Sequence, residues 1–144
     1  MMALSDSEIR AALSEKSLVI DPFDEGSLNP AGYDLRLSTD VALEPLEHCL
    51  VATMERVELG NDLVGILHIR SSLAREGVLA SLALVDPGFR GQLTISLSNS
   101  GKKTVQLKAG ERFVQLTVLR LGRQAAATYN GRYQDSCGVV GSRR

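Results

Sequence analysis

Hydrophobic and polar residues alternate along much of this chain. Tyr33, Leu35 and Leu37 are interleaved with Asp34, Arg36 and Ser38, and Leu93, Ile95 and Leu97 with Thr94, Ser96 and Ser98. Val105 and Leu107 flank Gln106, and Val114, Leu116 and Val118 continue the rule. A period of two sends successive side chains to opposite faces, so these runs predict strands with one buried face. Glycine and proline punctuate them at Pro30-Ala31-Gly32, Gly60-Asn61-Asp62, Pro87-Gly88, Gly101 and Ala109-Gly110. Short strands with a turn roughly every ten residues predict a mainly β fold: a sandwich, a jelly roll or a distorted β-barrel.

The N-terminus follows a different period. Ser5-Asp6-Ser7-Glu8 has the Ser-x-x-Glu form of a capping box, and Ile9, Ala12 and Leu13 fall on one helical face. A short N-terminal helix is expected to stop near Lys16, before the β-prone Leu18-Val19-Ile20 and a turn at Asp21-Pro22. Periodicity fades again after residue 128. The expected organisation is one β domain over 1–128 and a mobile C-terminal arm over 129–144, rich in Gly, Ser and Arg.

Composition narrows the function classes. The 144 residues are 44% hydrophobic and 23% charged, ordinary for a globular domain. The longest apolar run, Leu63 to Ile69, is broken by Gly65 and His68, so no membrane association is expected, and the polar start is no signal peptide. Cys49 and Cys137 stand far apart and outside metal-ligand spacing; a reducing, cytoplasmic location is the expectation. A net charge of −1 argues against a stable nucleic-acid partner. The charge is uneven, however. Residues 1–60 hold 4 basic and 12 acidic side chains, residues 61–144 hold 12 and 5, and arginine outnumbers lysine 12 to 4. Arginine's planar fork matches phosphate oxygens, which points to a compact anionic ligand on the second half.

Four segments interrupt the strand pattern. Asn29-Pro30-Ala31-Gly32-Tyr33-Asp34-Leu35 starts a strand with Asp34 just past a glycine turn; alone, Asp34 reads equally as an exposed strand carboxylate. Arg70-Ser71-Ser72-Leu73-Ala74-Arg75-Glu76-Gly77 places hydroxyls and arginines at a strand end, either an anion nest or a Ser-capped helical turn. The ribbon from Leu82 to Thr94 turns at Pro87-Gly88. Facing Asp86 with Gly91 sets a register with Ser81 opposite Ser96 and Ala83 opposite Thr94, and gathers Asp86, Thr94 and Ser96 on one face. A carboxylate there could position a water, or simply form the turn before Pro87. The fourth segment, Gly110-Glu111-Arg112-Phe113-Val114-Gln115, points Gln115 away from the core. His48 and His68 show no partner spacing and read as structural or surface residues.

Taken in order, and with Tyr129-Asn130-Gly131-Arg132-Tyr133-Gln134 as a fifth segment, these motifs resemble those of the dUTPase and dCTP deaminase superfamily. The likeness is nearest to archaeal-type dUTPases with dCTP-deaminase-like motifs. It implies a homotrimeric jelly roll with active sites between subunits, each closed by a C-terminal arm. By that resemblance, Asp86 activates water, Phe89 packs on deoxyribose, and Thr94 and Ser96 line the base pocket. Arg70, Ser71, Ser72, Arg75 and Gln115 hold phosphates, and Tyr129, Arg132 and Ser136 come from the arm. Mg²⁺ would ride on the phosphates and meet Asp34 through water. The family's deaminases carry a glutamate where this chain has Ser96, and a serine cannot by itself shuttle the protons of deamination. The expected enzyme is therefore a dUTP diphosphatase, which supplies dUMP for thymidylate synthesis and keeps uracil out of DNA. The alternatives are a zinc-independent dCTP deaminase, with or without dUTP hydrolysis as a second activity, and a non-catalytic nucleotide-binding trimer.

Overall fold

The computed structural model, which describes residues 2–144, carries the alternating runs as antiparallel strands. The chain begins with β1 (Met2–Ala3), α1 (Asp6–Ser14), β2 (Leu18–Asp21), β3 (Leu28–Asn29), β4 (Gly32–Arg36) and β5 (Val41–Leu43). It continues through β6 (His48–Leu59), β7 (Leu63–Ile69), the one-turn helix α2 (Ser71–Arg75), β8 (Val78–Ser81) and β9 (Leu84–Val85). The last elements are β10 (Arg90–Asn99), β11 (Val105–Leu107) and β12 (Arg112–Arg120).

Helix α1 starts as its capping box requires: the Ser5 side chain accepts from the Glu8 amide, and the Ser5 amide donates to Glu8 Oε2 at 2.8 Å. It ends at Glu15, after which Lys16 takes a left-handed conformation (φ 59°).

One sheet runs β3-β4-β12-β7-β9 with β1 alongside β12, and the other runs β2-β6-β10-β8; β5 and β11 form a separate pair. The architecture is a dUTPase-like jelly roll with one short N-terminal helix. The strands do not close on themselves into a complete barrel. Tyr33, Leu35 and Leu116 from the first sheet and Val57, Ile95 and Leu97 from the second are buried in a common core. Each such side chain contributes about 1.5–3 kcal/mol relative to exposure.

Two carboxylates are buried among the described residues. Asp34 is buried (4% exposed) although its neighbours Tyr33 and Leu35 are buried too, and Glu55 in β6 is fully buried (0%). Glu55 is matched by the Arg36 Nε at 2.7 Å, the Arg36 amide at 2.8 Å and the Tyr33 hydroxyl at 3.4 Å. That pairing raises the Arg36 pKa, while burial raises that of the Tyr33 phenol. The network holds β4 to β6 across the core. Nearby, Thr53 Oγ1 donates to the Glu55 carbonyl and accepts from the Leu93 amide. Its hydroxyl thus spans the irregularity where the β6–β10 register shifts between Gln92 and Thr94.

The ribbon leading into the Pro87-Gly88 turn is only partly as expected. Ser81 does pair with Ser96, but Ala83 does not pair with Thr94. Instead Leu84 and Val85 leave the β8–β10 sheet and pair with Ile66 and Gly65 of β7. Gly65 permits this crossing, since a Cβ there would lie 3.0 Å from the Val85 Cβ and 2.7 Å from the Leu116 side chain. The two limbs of the ribbon therefore part, and a cavity opens between them.

Candidate active site

The opened ribbon and the C-terminal arm enclose a cavity of about 510 Å³. β10 contributes Gln92, Thr94 and Ser96, the opposite limb Ser81 and Asp86, and the turn Phe89. The arm contributes Tyr129, Tyr133, Ser136 and Val140. Tyr129 meets Phe89 edge-on, with ring centroids 5.6 Å apart.

The arm lies against its own chain's β10. The Gln92 amide donates to the Ser136 carbonyl at 2.9 Å, the Gly138 amide to Gln92 Oε1 at 2.6 Å, and the Val140 amide to Thr94 Oγ1 at 2.9 Å. Gly91 (φ 145°) allows this closeness, because a Cβ would stand 2.8 Å from the Ser136 nitrogen. Asp135 adds an ion pair with Arg90 at 2.9 Å. Hydrogen bonding from Arg90 holds the Asp135 carboxyl below the usual carboxylate range.

Most polar side chains of the cavity are engaged within the protein. The Gln92 amide donates to the Thr53 carbonyl and accepts from Gly138, and the Ser136 hydroxyl donates to the Tyr133 carbonyl. Among the described residues, nothing hydrogen-bonds or ion-pairs with the exposed Asp86 carboxylate. Ser96 Oγ lies 2.8 Å from His48 Nε2. A larger, more open hollow of about 670 Å³ sits on the other side of the hairpin, but of the candidate residues it touches Tyr129 alone.

A second cluster forms on the other sheet. Gln115 of β12 sits in register between Asp34 of β4 and His68 of β7. Arg70, which caps α2, places its Nε 3.1 Å from Asp34 Oδ2 and an Nη on the Arg112 carbonyl. Ser71, Ser72 and Arg75 lie exposed on α2, immediately after Arg70. Gly32 gives the cluster room, since a Cβ would stand 3.0 Å from the Gln115 side-chain nitrogen.

The candidate residues thus fall into two groups. Asp86, Phe89, Thr94, Ser96, Tyr129 and Ser136 share the cavity; Asp34, Arg70 and Gln115 share the outer cluster, beside Ser71, Ser72 and Arg75. Arg132 joins neither, bonding instead to the Arg143 carbonyl on the arm. Among the described residues, no three His, Cys, Asp or Glu side chains converge as metal ligands. Asp34 is held by Arg70 in an ion pair, and a metal carried on phosphate oxygens needs few protein ligands. Cys49 and Cys137 are free thiols, and burial pushes the Cys49 thiol up. None of the described helices is long and apolar enough to cross a membrane.

His48 reads from the sequence as a structural or surface residue; it is exposed, but its ring also meets Ser96. It pairs in register with Ser98 and reaches diagonally to Ser96, a contact set by the β6–β10 register. No local spacing signals it.

A family model described as dCTP deaminase-like matches residues 3–43 and 38–121. The chain is 44% identical over 158 aligned positions to a protein named dCTP deaminase from Pyrococcus horikoshii, covering 99% of this chain and 98% of that one. It is 37% identical to a probable deoxyuridine 5′-triphosphate nucleotidohydrolase of Sulfolobus islandicus rod-shaped virus 1, covering 96% and 97%. Among solved structures, the 2′-deoxycytidine 5′-triphosphate deaminase of Agrobacterium tumefaciens superposes with a TM-score of 0.72 at 20% identity. That match covers 83% of this chain and 48% of the other, about half its length. The dUTPase of Staphylococcus bacteriophage 80alpha, in a structure with dUpNHpp, superposes at 0.61 and 19% identity, covering 79% and 97%. The chain belongs to the dUTPase and dCTP deaminase superfamily. Both reactions occur among the names of its relatives, so membership alone leaves the choice between them open.

Proposed function

We propose that this protein hydrolyses dUTP to dUMP and pyrophosphate. The observation that carries the reading is the Asp86 carboxylate, unpartnered on the cavity wall, together with a hydroxyl rather than a second carboxylate at position 96. Splitting a phosphoanhydride needs a base that orients one water in line with the leaving group. Asp86 takes a proton from that water as its oxygen bonds to the α-phosphorus; the bond from the α-phosphorus to the bridging oxygen breaks, and pyrophosphate leaves. Phe89, backed by Tyr129, packs on the deoxyribose, and Thr94 and Ser96 line the base end.

The phosphate-binding groups Arg70, Ser71, Ser72, Arg75 and Gln115 lie outside the cavity of their own chain. A homotrimer in which the outer cluster of one copy meets the cavity of the next completes the site, with Arg132 brought in on the arm. Magnesium bound to the triphosphate would neutralise charge on the phosphate oxygens. Asp34, held by Arg70, is the carboxylate available to a metal-bound water on that side.

A second reading, dCTP deamination, is favoured by the relatives' names and by the hydrogen bond that gives Ser96 an imidazole partner. Incubation with dUTP or dCTP and Mg²⁺, with products separated by chromatography, distinguishes them. Pyrophosphate and dUMP from dUTP, lost on Asp86→Asn, support hydrolysis; ammonia and dUTP from dCTP support the second reading. Light scattering tests the trimer.

A further inference from the structure

Ser96 differs from the other polar side chains of the cavity in the kind of partner it has. Gln92 and Ser136 bond to groups whose role is fixed, a carbonyl that accepts or an amide that donates. Ser96 faces an imidazole nitrogen, His48 Nε2, which either donates or accepts according to its tautomer. No other hydrogen bond to the His48 ring is present among the described residues, and the residue is exposed on its outer side. The ring is therefore free to take either form.

A serine hydroxyl has one proton. Where the imidazole accepts it, Ser96 offers only lone pairs to the cavity; where the imidazole donates, the Ser96 proton turns inward. The pyrimidines of dUTP and dCTP differ in this sense at C4, where an oxo group accepts and an amino group donates. In the reading proposed above, sugar and phosphate toward Asp86 and Phe89 would run the ring along β10 toward Thr94 and Ser96, both on the cavity wall, with its exocyclic group at the far end. We propose that His48 is a specificity-positioning residue: through its 2.8 Å contact it fixes whether Ser96 donates or accepts at C4, and so sets the preference between uracil and cytosine. This rests on the reading of the cavity as a pyrimidine nucleotide site.

Two substitutions lock the pair in opposite states. His48→Lys can only donate, leaving the Ser96 proton for an oxo group; His48→Glu, ionised, can only accept, leaving lone pairs for an amino group. The test is calorimetric titration of each full-length variant with the α,β-imido analogues of dUTP and dCTP. Relative to wild type, the ratio of the two Kd values is expected to move about three- to tenfold toward uracil in His48→Lys and by a similar factor toward cytosine in His48→Glu. The added charges act alike on the two identical triphosphate tails, so that part cancels in the ratio, whereas a direct pull on the C4 group would persist without Ser96. Combining either change with Ser96→Ala abolishes its shift, a result that a purely structural histidine would not give. A ratio unmoved in both variants, moved the same way in both, or moved in the reversed order overturns the role of His48. Wild-type protein that binds neither analogue instead overturns the nucleotide reading of the cavity, and this proposal with it.

Discussion

Glu55 and Asp86 are carboxylates in two contrasting regions of one β scaffold. Glu55 is sealed in the core with the Arg36 guanidinium, the Arg36 amide and the Tyr33 hydroxyl around it. Asp86 stands exposed at the cavity with no side-chain partner. A charge buried with full hydrogen bonding ties strands together and has no freedom left for chemistry. An unpartnered one adds little to the fold and keeps both oxygens for a ligand or a water. Asp34 stands between the extremes, buried yet held by a single half-exposed arginine that a phosphate could also claim.

The contrast makes Asp86 the place for the largest functional effect. Asp86→Asn is expected to lower kcat/KM for dUTP by about 10²–10⁴-fold, with stability changed by no more than about 0.5 kcal/mol in urea melts. The converse holds in the core. Glu55→Ala strands the Arg36 charge and is expected to lower stability by about 3–5 kcal/mol, whereas replacing both partners, Arg36→Met with Glu55→Leu, costs far less. If the single and double variants melt alike, the pair is not acting as a unit. At the intermediate site, Arg70→Ala should raise KM for dUTP by about 10–100-fold, the loss of a charge-assisted phosphate contact, while leaving kcat less affected.

Smaller effects probe the arm. Gly91→Ala puts a methyl against the Ser136 nitrogen and is expected to speed proteolysis after residue 128 and to lower activity with little change in the core melt. Asp135→Asn suits the left-handed backbone at that position (φ 58°) and removes only the charge. Because Arg90 holds the Asp135 carboxyl below its ordinary value, its contribution to docking is complete above the ordinary carboxylate range and is lost as pH falls through the lowered one. Arm proteolysis should therefore rise on acidification in the wild type and be flat over that window in Asp135→Asn.

Much of this organisation was legible in local patterns. Alternation located the strands around Tyr33, Ile95 and Leu116, the Ser5–Glu8 box located the helix, and the turn geometry gave the Ser81–Ser96 pairing. What stayed hidden depends on contacts distant in sequence. Leu84 and Val85 change sheets because Gly65 leaves room on β7, which the ribbon's own sequence does not disclose. Asp34 alone reads equally as a solvent-facing strand residue until Arg70 covers it, and nothing local announces that Arg36 and Tyr33 surround Glu55. His48 gains meaning only once β6 and β10 are laid side by side.

The arm also has a consequence for how the molecule keeps to itself. Where β8 ends, the far margin of β10 near Gly91 and Gln92 would lie unpaired but for the parallel bridge to Ser136 and the hydrogen bond to its carbonyl. Bare strand margins recruit other chains. Shorn of its final residues, the molecule would first betray itself by clumping edge to edge, well before its interior came apart.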